Sequence, residues 1–149
     1  MPHFGLMSTE DSFKTEAGAL LRAKLHIRAG KRRLRQGKIS AGIVTLYDSL
    51  LFALHRYTIS PDLKKSLIIN EGDDLKNERV VYAVLVRSGV LDGKFDYQAF
   101  DDLAEKAGED EMTGFDYMNM LKGFESVMTQ LGVMPFDESK LPPEDPSTF

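Results

Sequence analysis

The chain has 149 residues, a formal net charge of −4 and no cysteine. A chain of this length is most simply one domain, and it can bury enough surface to fold without cross-links. The lack of cysteine excludes disulfides, thiolate metal sites and cysteine nucleophiles, and it predicts a reducing, cytoplasmic location. The sequence shows no secretory signal and no apolar stretch long enough to cross a membrane.

Charge is distributed unevenly along the chain. Residues 1–60 hold ten basic and four acidic residues, whereas residues 91–149 hold four basic and fourteen acidic residues. The basic part can pair with the acidic part, within one chain or between subunits, or it can bind an anionic partner such as nucleic acid. The first interpretation is favoured, because the acidic half neutralises much of the field that nucleic acid needs.

Residues 16–36 are predicted to form the first helix, because their apolar side chains recur at helical spacing. Gly30 interrupts that apolar stripe, which indicates close approach of a neighbouring backbone. Gly37 is the expected end of the helix. Four residues can cap its start through a side-chain oxygen: Ser8, Thr9, Ser12 and Thr15.

Residues 39–57 predict a second helix that is apolar on nearly all sides. Such a helix lies centrally and touches several neighbours or a second subunit. It begins within three residues of Gly37, so the two helices are predicted to form an antiparallel hairpin. The side opposite its main apolar stripe carries Val44, Leu51 and Phe52, which are the candidate residues for an oligomer interface.

The third helix is predicted to begin at Asp73 or Asp74, whose carboxylates can cap a first turn, and to end near Ser88 before Gly89. Residues 79–86 are rich in β-branched side chains, so a buried strand is the alternative. Helical spacing of the apolar positions and the lack of a partner strand favour the helix.

The tripeptide Phe-Asp-Tyr occurs at 95–97 and again at 115–117, and each copy predicts the start of a helix. In each, the aspartate (Asp96, Asp116) is the expected N-cap, and the preceding phenylalanine can pack on an apolar residue five positions later. Gly108 and Gly132 are the expected ends of these two helices.

The predicted fold is therefore all-α, an antiparallel bundle of about five helices built on the N-terminal hairpin. Residues 1–133 form one helical domain. Residues 134–149 are acidic and contain four prolines, which predicts an extended C-terminal tail. Met134, Phe136 and Leu141 are apolar anchors that can lie across a groove.

No pattern of catalytic or metal-binding residues emerges. Histidine occurs only three times, without the spacing of a metal site, and no phosphate-binding loop or nucleophile elbow is present. Asp48 and His55 share one helix face, where a carboxylate can orient an imidazole, but no nucleophile lies near them in sequence. We therefore expect no catalytic residue, no metal and no cofactor.

The most distinctive pattern is a basic row on the first helix. Such a row can follow a phosphate backbone, favour the helix dipole or pair with the acidic half of the chain. The candidate nucleic-acid-binding residues are Lys24, Arg28, Lys31, Arg32 and Arg35.

Within residues 20–57, an alanine in the first helix, a glycine turn and a small-x-x-x-x-Tyr pattern in the second helix occur together. These positions are Ala29, Gly37, Ala41, Tyr47 and Ala53, with five residues between Ala41 and Tyr47, one more than that pattern has. This hairpin resembles the opening helices of HEPN-type α-helical domains. The resemblance implies a bundle of four or five helices, often dimeric, in proteins similar to RNA-cleaving toxins, partners of small nucleotidyltransferases or nucleotide-binding modules.

The RNA-cleaving members of that family carry an arginine followed four to six residues later by a histidine in a late helix. This chain has no histidine after His55. The resemblance therefore implies a member without catalytic activity. We predict a non-enzymatic interaction module that forms a homodimer or binds a protein partner. The alternatives are an RNA- or nucleotide-binding protein that uses the basic row, and a degenerate nuclease.

Overall fold

A computed structural model describes residues 15–148, and these residues form helices and no strand. The predicted all-α class is thus confirmed. The elements in chain order are α1 (Glu16–Arg35), α2 (Ile39–Ile59), α3 (Pro61–Lys64), α4 (Glu78–Arg87), α5 (Tyr97–Glu109) and α6 (Met118–Gln130). Two 3₁₀ turns, Glu138–Lys140 and Pro146–Thr148, follow them. Among the residues described, no helix is both long and apolar enough to cross a membrane.

The antiparallel hairpin of α1 and α2 forms as predicted. The Thr15 hydroxyl accepts a hydrogen bond from the N–H of Gly18 at 2.9 Å and caps α1. Gly37 has a φ of 79°, a left-handed conformation that favours glycine and turns the chain after α1. The other predicted caps, at positions 8, 9 and 12, lie outside the described residues.

The two helices of the hairpin approach each other closely where Gly30 faces Gly42. A Cβ atom on Gly30 would lie 2.6 Å from a side-chain carbon of Leu46 and 3.3 Å from the carbonyl oxygen of Gly42. A Cβ atom on Gly42 would lie 2.7 Å from a side-chain carbon of Leu34. The predicted close approach at Gly30 is therefore confirmed, and glycine is needed on both helices.

α2 is the central helix, because it contacts each of the other five. Its main stripe is buried, and α4 joins the same core, so residues 79–86 form the predicted helix and not a strand. A fully buried hydroxyl, that of Ser49, donates to the carbonyl oxygen of Ala23 on α1 at 2.7 Å. The buried apolar residues of α2 are Ile39, Ile43, Leu46, Leu50, Phe52, Ala53, Leu54 and Tyr57.

The predicted start of α4 is wrong. The N-cap is Asn77, whose side chain accepts from the N–H of Arg79, and not Asp73 or Asp74. The carboxylate of Asp73 is engaged elsewhere, since it accepts from Arg87 at 2.8 Å and from the backbone of a nearby turn. The Asp73 carboxylate, which the local pattern predicts as a helix cap, therefore forms an ion pair with a residue distant in sequence.

The two Phe-Asp-Tyr segments behave differently. Asp96 caps α5 as predicted, by accepting the N–H three residues later at 3.0 Å. At the second copy, the N-cap is Tyr117, while Asp116 accepts the N–H of Met118 at 3.1 Å. Gly108 lies inside α5 and does not end it, because α5 continues to Glu109.

Candidate binding surface on the first helix

The outer side of α1 carries the predicted basic row, and residues 136–144 of the C-terminal segment lie against it. The nitrogen Nζ of Lys24 is 5.9 Å from the centroid of the Phe136 ring. Farther along the helix, Lys31 pairs with Glu125 of α6 at 3.2 Å. Arg35, at the end of α1, is exposed. Some residues of the row thus contact other parts of the chain, and others face solvent.

Glu144 lies between two guanidinium groups of α1. Its Oε2 is 3.0 Å from Nε and 2.9 Å from Nη2 of Arg32, and its Oε1 is 3.4 Å from Nε of Arg28. These three side chains are only 11–12% exposed. Charged groups that are so largely removed from water are stabilised only when they are well paired. The Arg28–Glu144–Arg32 cluster, called the ion triad below, is therefore the polar centre of this contact.

Apolar contacts flank the ion triad. Leu141 packs on a small apolar cluster formed by Leu25 and Ala29 with Leu21, and this cluster is separate from the main core. The next residue, Pro142, accepts a hydrogen bond from Nη2 of Arg28 at 2.7 Å through its carbonyl oxygen. The main chain and one side chain of the segment thus fix its register on α1.

These contacts together define an elongated binding site, called the α1 groove below. Between Phe136 and Leu141 a cleft of about 290 Å³ stays open against α1. Its lining is mostly apolar and includes the charged residues Lys24, Asp137 and Lys140. The α1 groove is formed by Ala17, Leu20, Leu21, Lys24, Leu25, Arg28, Ala29 and Arg32.

Positive charge is concentrated on this part of α1. Burial lowers the pKa of Arg33; the neighbouring guanidinium of Arg32 lowers it further, and Glu144 acts in the opposite direction. Arg33 also donates to the hydroxyl of Thr45 and thereby ties the end of α1 to α2. A carboxylate from the C-terminal segment therefore relieves repulsion between cations that the fold holds close together.

The glutamate of the ion triad does not satisfy all the donors around it. Nε of Arg28 is buried and makes no hydrogen bond, although Oε1 of Glu144 is 3.4 Å away. Buried donors without an acceptor are uncommon in folded proteins, because desolvating them costs about 1–3 kcal/mol. The α1 groove therefore has a donor that its present occupant leaves unused.

The structure separates the three residues of the proposed oligomer interface on α2. Phe52 is 8% exposed, and its ring lies 5.2 Å from that of His26 on α1. It is therefore covered within the chain and does not form the predicted exposed face. Val44 and Leu51 remain half-buried at the surface of α2.

Asp48 and His55 do not share a site. His55 lines a cleft of about 410 Å³ with Thr58, Lys64 and the start of α4, and Asp48 is not part of it. Burial raises the pKa of Asp48. Within residues 15–148, no group of histidine and carboxylate side chains is arranged to hold a metal ion.

A polar network between α2, α4 and α5 was not predicted from the sequence. The hydroxyl of Tyr47 donates to Asp101 at 2.6 Å and lies 3.0 Å from the hydroxyl of Tyr97, while Arg79 pairs with Asp101 at 2.8 Å. Burial and these hydrogen bonds raise the pKa of Tyr47, whereas the bonds from Arg79 and Tyr47 lower the pKa of Asp101. The network joins three helices of the bundle, and no sequence motif marks it.

Comparison with protein-family models, with curated proteins and with solved structures gives no significant match. The resemblance to HEPN-type domains therefore stays a prediction that rests on the hairpin. The α1 groove is the surface on which the charge pattern of the sequence and the contacts of the structure coincide.

Proposed function

We propose that the protein is a non-enzymatic helical interaction module that binds a short acidic and apolar segment in the α1 groove. One observation carries this proposal: residues 136–144 lie in the groove as a peptide ligand would. They contribute one apolar anchor, Leu141, one main-chain acceptor, Pro142, and one enclosed carboxylate, Glu144. Recognition of extended segments by apolar pockets and arginine clusters is a recurring mode of peptide binding.

The part of the C-terminal segment after Phe136 is suited to leave and return, whereas Phe136 itself packs against the main core. The apolar cluster under Leu141 is separate from the main core, so releasing the segment uncovers only a small apolar area there. Release also rehydrates Arg28 and Arg32, which removes much of the penalty of separating the charges. These properties favour an exchangeable contact over a permanent part of the core.

The segment of one copy can bind the α1 groove of another copy, which would produce the dimer. Within one chain the attached segment has an effective concentration near the millimolar range, so it competes strongly with any free ligand. A partner segment therefore binds appreciably only when the chain's own segment is weakened or displaced. Self-association is expected at high protein concentration and should depend on Leu141 and Glu144.

The test uses the full-length chain with Leu141→Ser and Glu144→Ala, called the released variant below, and a labelled peptide of residues 134–149. Fluorescence anisotropy should show binding at least tenfold tighter to the released variant than to the wild type. Adding Arg28→Ala and Arg32→Ala should abolish it. A control chain with Ile68→Ser and Glu138→Ala changes an exposed apolar and an exposed acidic residue outside these contacts, and it should behave as the wild type.

A released variant that keeps its helix content but fails to bind the peptide would contradict the proposal. Self-association has its own readout, since light scattering across a concentration range should detect a wild-type dimer that the released variant cannot form. If the wild type is a monomer at all concentrations, the dimer is excluded and binding of a segment from a different protein is the remaining form of the proposal.

A second candidate function is binding of RNA along the basic row. The observation that favours it is the exposure of Arg35 and Lys38, which extend the row beyond the ion triad. Binding of single-stranded RNA to the released variant should fall steeply as salt increases, because each neutralised phosphate releases counterions. No binding at low salt would remove this function.

A further inference from the structure

The carboxylate of Glu144 fits the ion triad incompletely. It reaches Arg32 with hydrogen-bond geometry but approaches Nε of Arg28 only to 3.4 Å, and that buried Nε makes no hydrogen bond. A carboxylate offers two oxygens in one plane, whereas the two guanidiniums lie on successive turns of one helix. An anion with more acceptor oxygens in a tetrahedral arrangement can reach both groups at once.

We propose that the preferred ligand of the α1 groove is a phosphorylated segment, with phosphoserine or phosphothreonine at the position that Glu144 occupies. This inference rests on the proposed function, because it names the chemistry of the segment that the groove binds. A phosphate monoester carries a charge of about −1.5 to −2 at pH 7 and three acceptor oxygens. Arginine pairs bind such groups through several short, charge-assisted hydrogen bonds.

The rest of the contact defines the segment around the phosphate. Leu141 lies three residues before Glu144 and fills the apolar cluster of α1. The carbonyl oxygen of Pro142 accepts from Nη2 of Arg28 at 2.7 Å, which sets the spacing between the apolar anchor and the anion. Two consecutive prolines keep this part extended. The ligand class is thus an extended segment with an apolar residue three positions before the phosphorylated residue.

The enclosure of the ion triad favours a phosphopeptide over a nucleic-acid backbone. Arg28 and Arg32 are each about 11% exposed with the segment bound, so the groove surrounds one anionic group and does not follow a row of them. The apolar cluster under Leu141 also has no counterpart to contact on a phosphodiester chain. Arg35, which is exposed, would contact a polymer but lies beyond the ion triad.

The experiment compares three peptides of residues 134–149 on the released variant: the natural peptide, one with phosphoserine in place of Glu144 and one with serine there. Isothermal titration calorimetry should show the phosphoserine peptide binding at least tenfold tighter than the natural peptide. The serine peptide should bind at least tenfold weaker than the natural one. Because the second pKa of phosphoserine is about 6, its advantage should shrink between pH 7.5 and pH 5.5.

Arg28→Lys in the released variant provides the matched control, because it keeps the charge and removes the fork of donors. It should reduce the preference for phosphoserine over glutamate to about twofold while binding of the natural peptide persists. Equal affinities of the phosphoserine and glutamate peptides for the released variant would overturn the inference and leave the proposed function intact. If no peptide binds, the proposed function fails as well, and tight binding of RNA alone would support the second candidate.

Discussion

Along α1, the face turned toward α2 and the face turned toward the C-terminal segment are stabilised by different interactions. The inner face is buried and closely packed, with Gly30 opposite Gly42 and the hydroxyl of Ser49 bonded to a carbonyl oxygen of α1. The outer face is held by the ion triad, one hydrogen bond to Pro142 and a small apolar cluster.

This difference indicates which part of α1 serves folding and which part can serve binding. Close packing tolerates little rearrangement, since a shift of one methyl group is felt throughout a dense core. A contact built on an ion pair and one apolar anchor can open and close with a modest free-energy change, because water replaces the lost partners. One helix thus has a closely packed face and a second face on which we propose that the contact is exchangeable.

The largest expected effect comes from breaking the inner face. Gly30→Val should lower the free energy of unfolding by about 3 kcal/mol, because its Cβ and methyl groups would collide with Leu46 and the backbone at Gly42. Urea denaturation followed by circular dichroism measures this. Gly108→Ala is the matched control: a Cβ there meets nothing within 4 Å, so stability should rise by up to about 1 kcal/mol. Equal effects at both positions would disprove the tight contact.

A smaller effect is expected from breaking the outer face. Glu144→Ala removes the carboxylate from two largely buried guanidiniums, yet the loss should be only about 1–2 kcal/mol, below the 3–5 typical of a broken buried pair. The difference arises because the segment can detach and rehydrate Arg28 and Arg32. Hydrogen exchange should show lost protection in residues 138–144 and unchanged protection in α2.

Glu138→Ala removes an exposed acidic residue of the same segment and serves as the control. It should leave the protection of residues 138–144 close to that of the wild type. If loss of Glu144 instead lowers protection throughout α2, the outer face is part of the folding core and the distinction between the two faces fails.

Acid should weaken the inner face through His26. Burial lowers the pKa of His26, while a hydrogen bond to the carbonyl of Arg22 acts in the opposite direction. The unfolded chain then binds this proton more readily, so the stabilisation is complete above the unfolded pKa of about 6.5 and declines as the pH falls. His26→Gln should flatten the fall in the urea midpoint between pH 7.5 and pH 5.5. If the urea midpoint falls as steeply with pH in His26→Gln as in the wild type, protonation of His26 does not cause the loss of stability in acid.

The smallest effect is expected from breaking the Lys31–Glu125 ion pair beside the outer face. Lys31 and Glu125 pair at 3.2 Å, but their side chains are 27% and 34% exposed, so the ion pair is solvated. Lys31→Ala should change the free energy of unfolding by no more than about 0.5 kcal/mol. A loss comparable with that of Glu144→Ala would mean that charge density, and not enclosure, determines the strength of these contacts.

The hairpin could be predicted from the sequence because its signals are local. Apolar spacing and the glycine at position 37 act within a few residues of themselves, and the structure agrees with both. The small residue at position 30 interrupts a local stripe, and the hairpin brings it against Gly42, twelve residues later. The start of α4 could not be predicted in this way. Asp73 has a strong local capping signal, but Arg87, fourteen residues later, binds its carboxylate.

The candidate site could be predicted only in part. Basic residues on α1, including Arg28 and Arg32, could be named as candidates from the local sequence, and in the structure these two pair with Glu144. Their partner is more than a hundred residues away, and no local rule selects Glu144 among the other acidic residues of the tail. The same limit explains Phe52, whose burial depends on how α1 crosses α2.

The distance in sequence between α1 and Glu144 has a consequence during synthesis. The hairpin can form once Ile59 has left the ribosome, but Glu144 follows 85 residues later. At elongation rates of about 5–20 residues per second, this interval is roughly 4–17 s. During that time Arg28 and Arg32 of the newly made helix pair lack Glu144. The phosphorylated partner that we propose could therefore bind the α1 groove before the chain's own C-terminal segment is made.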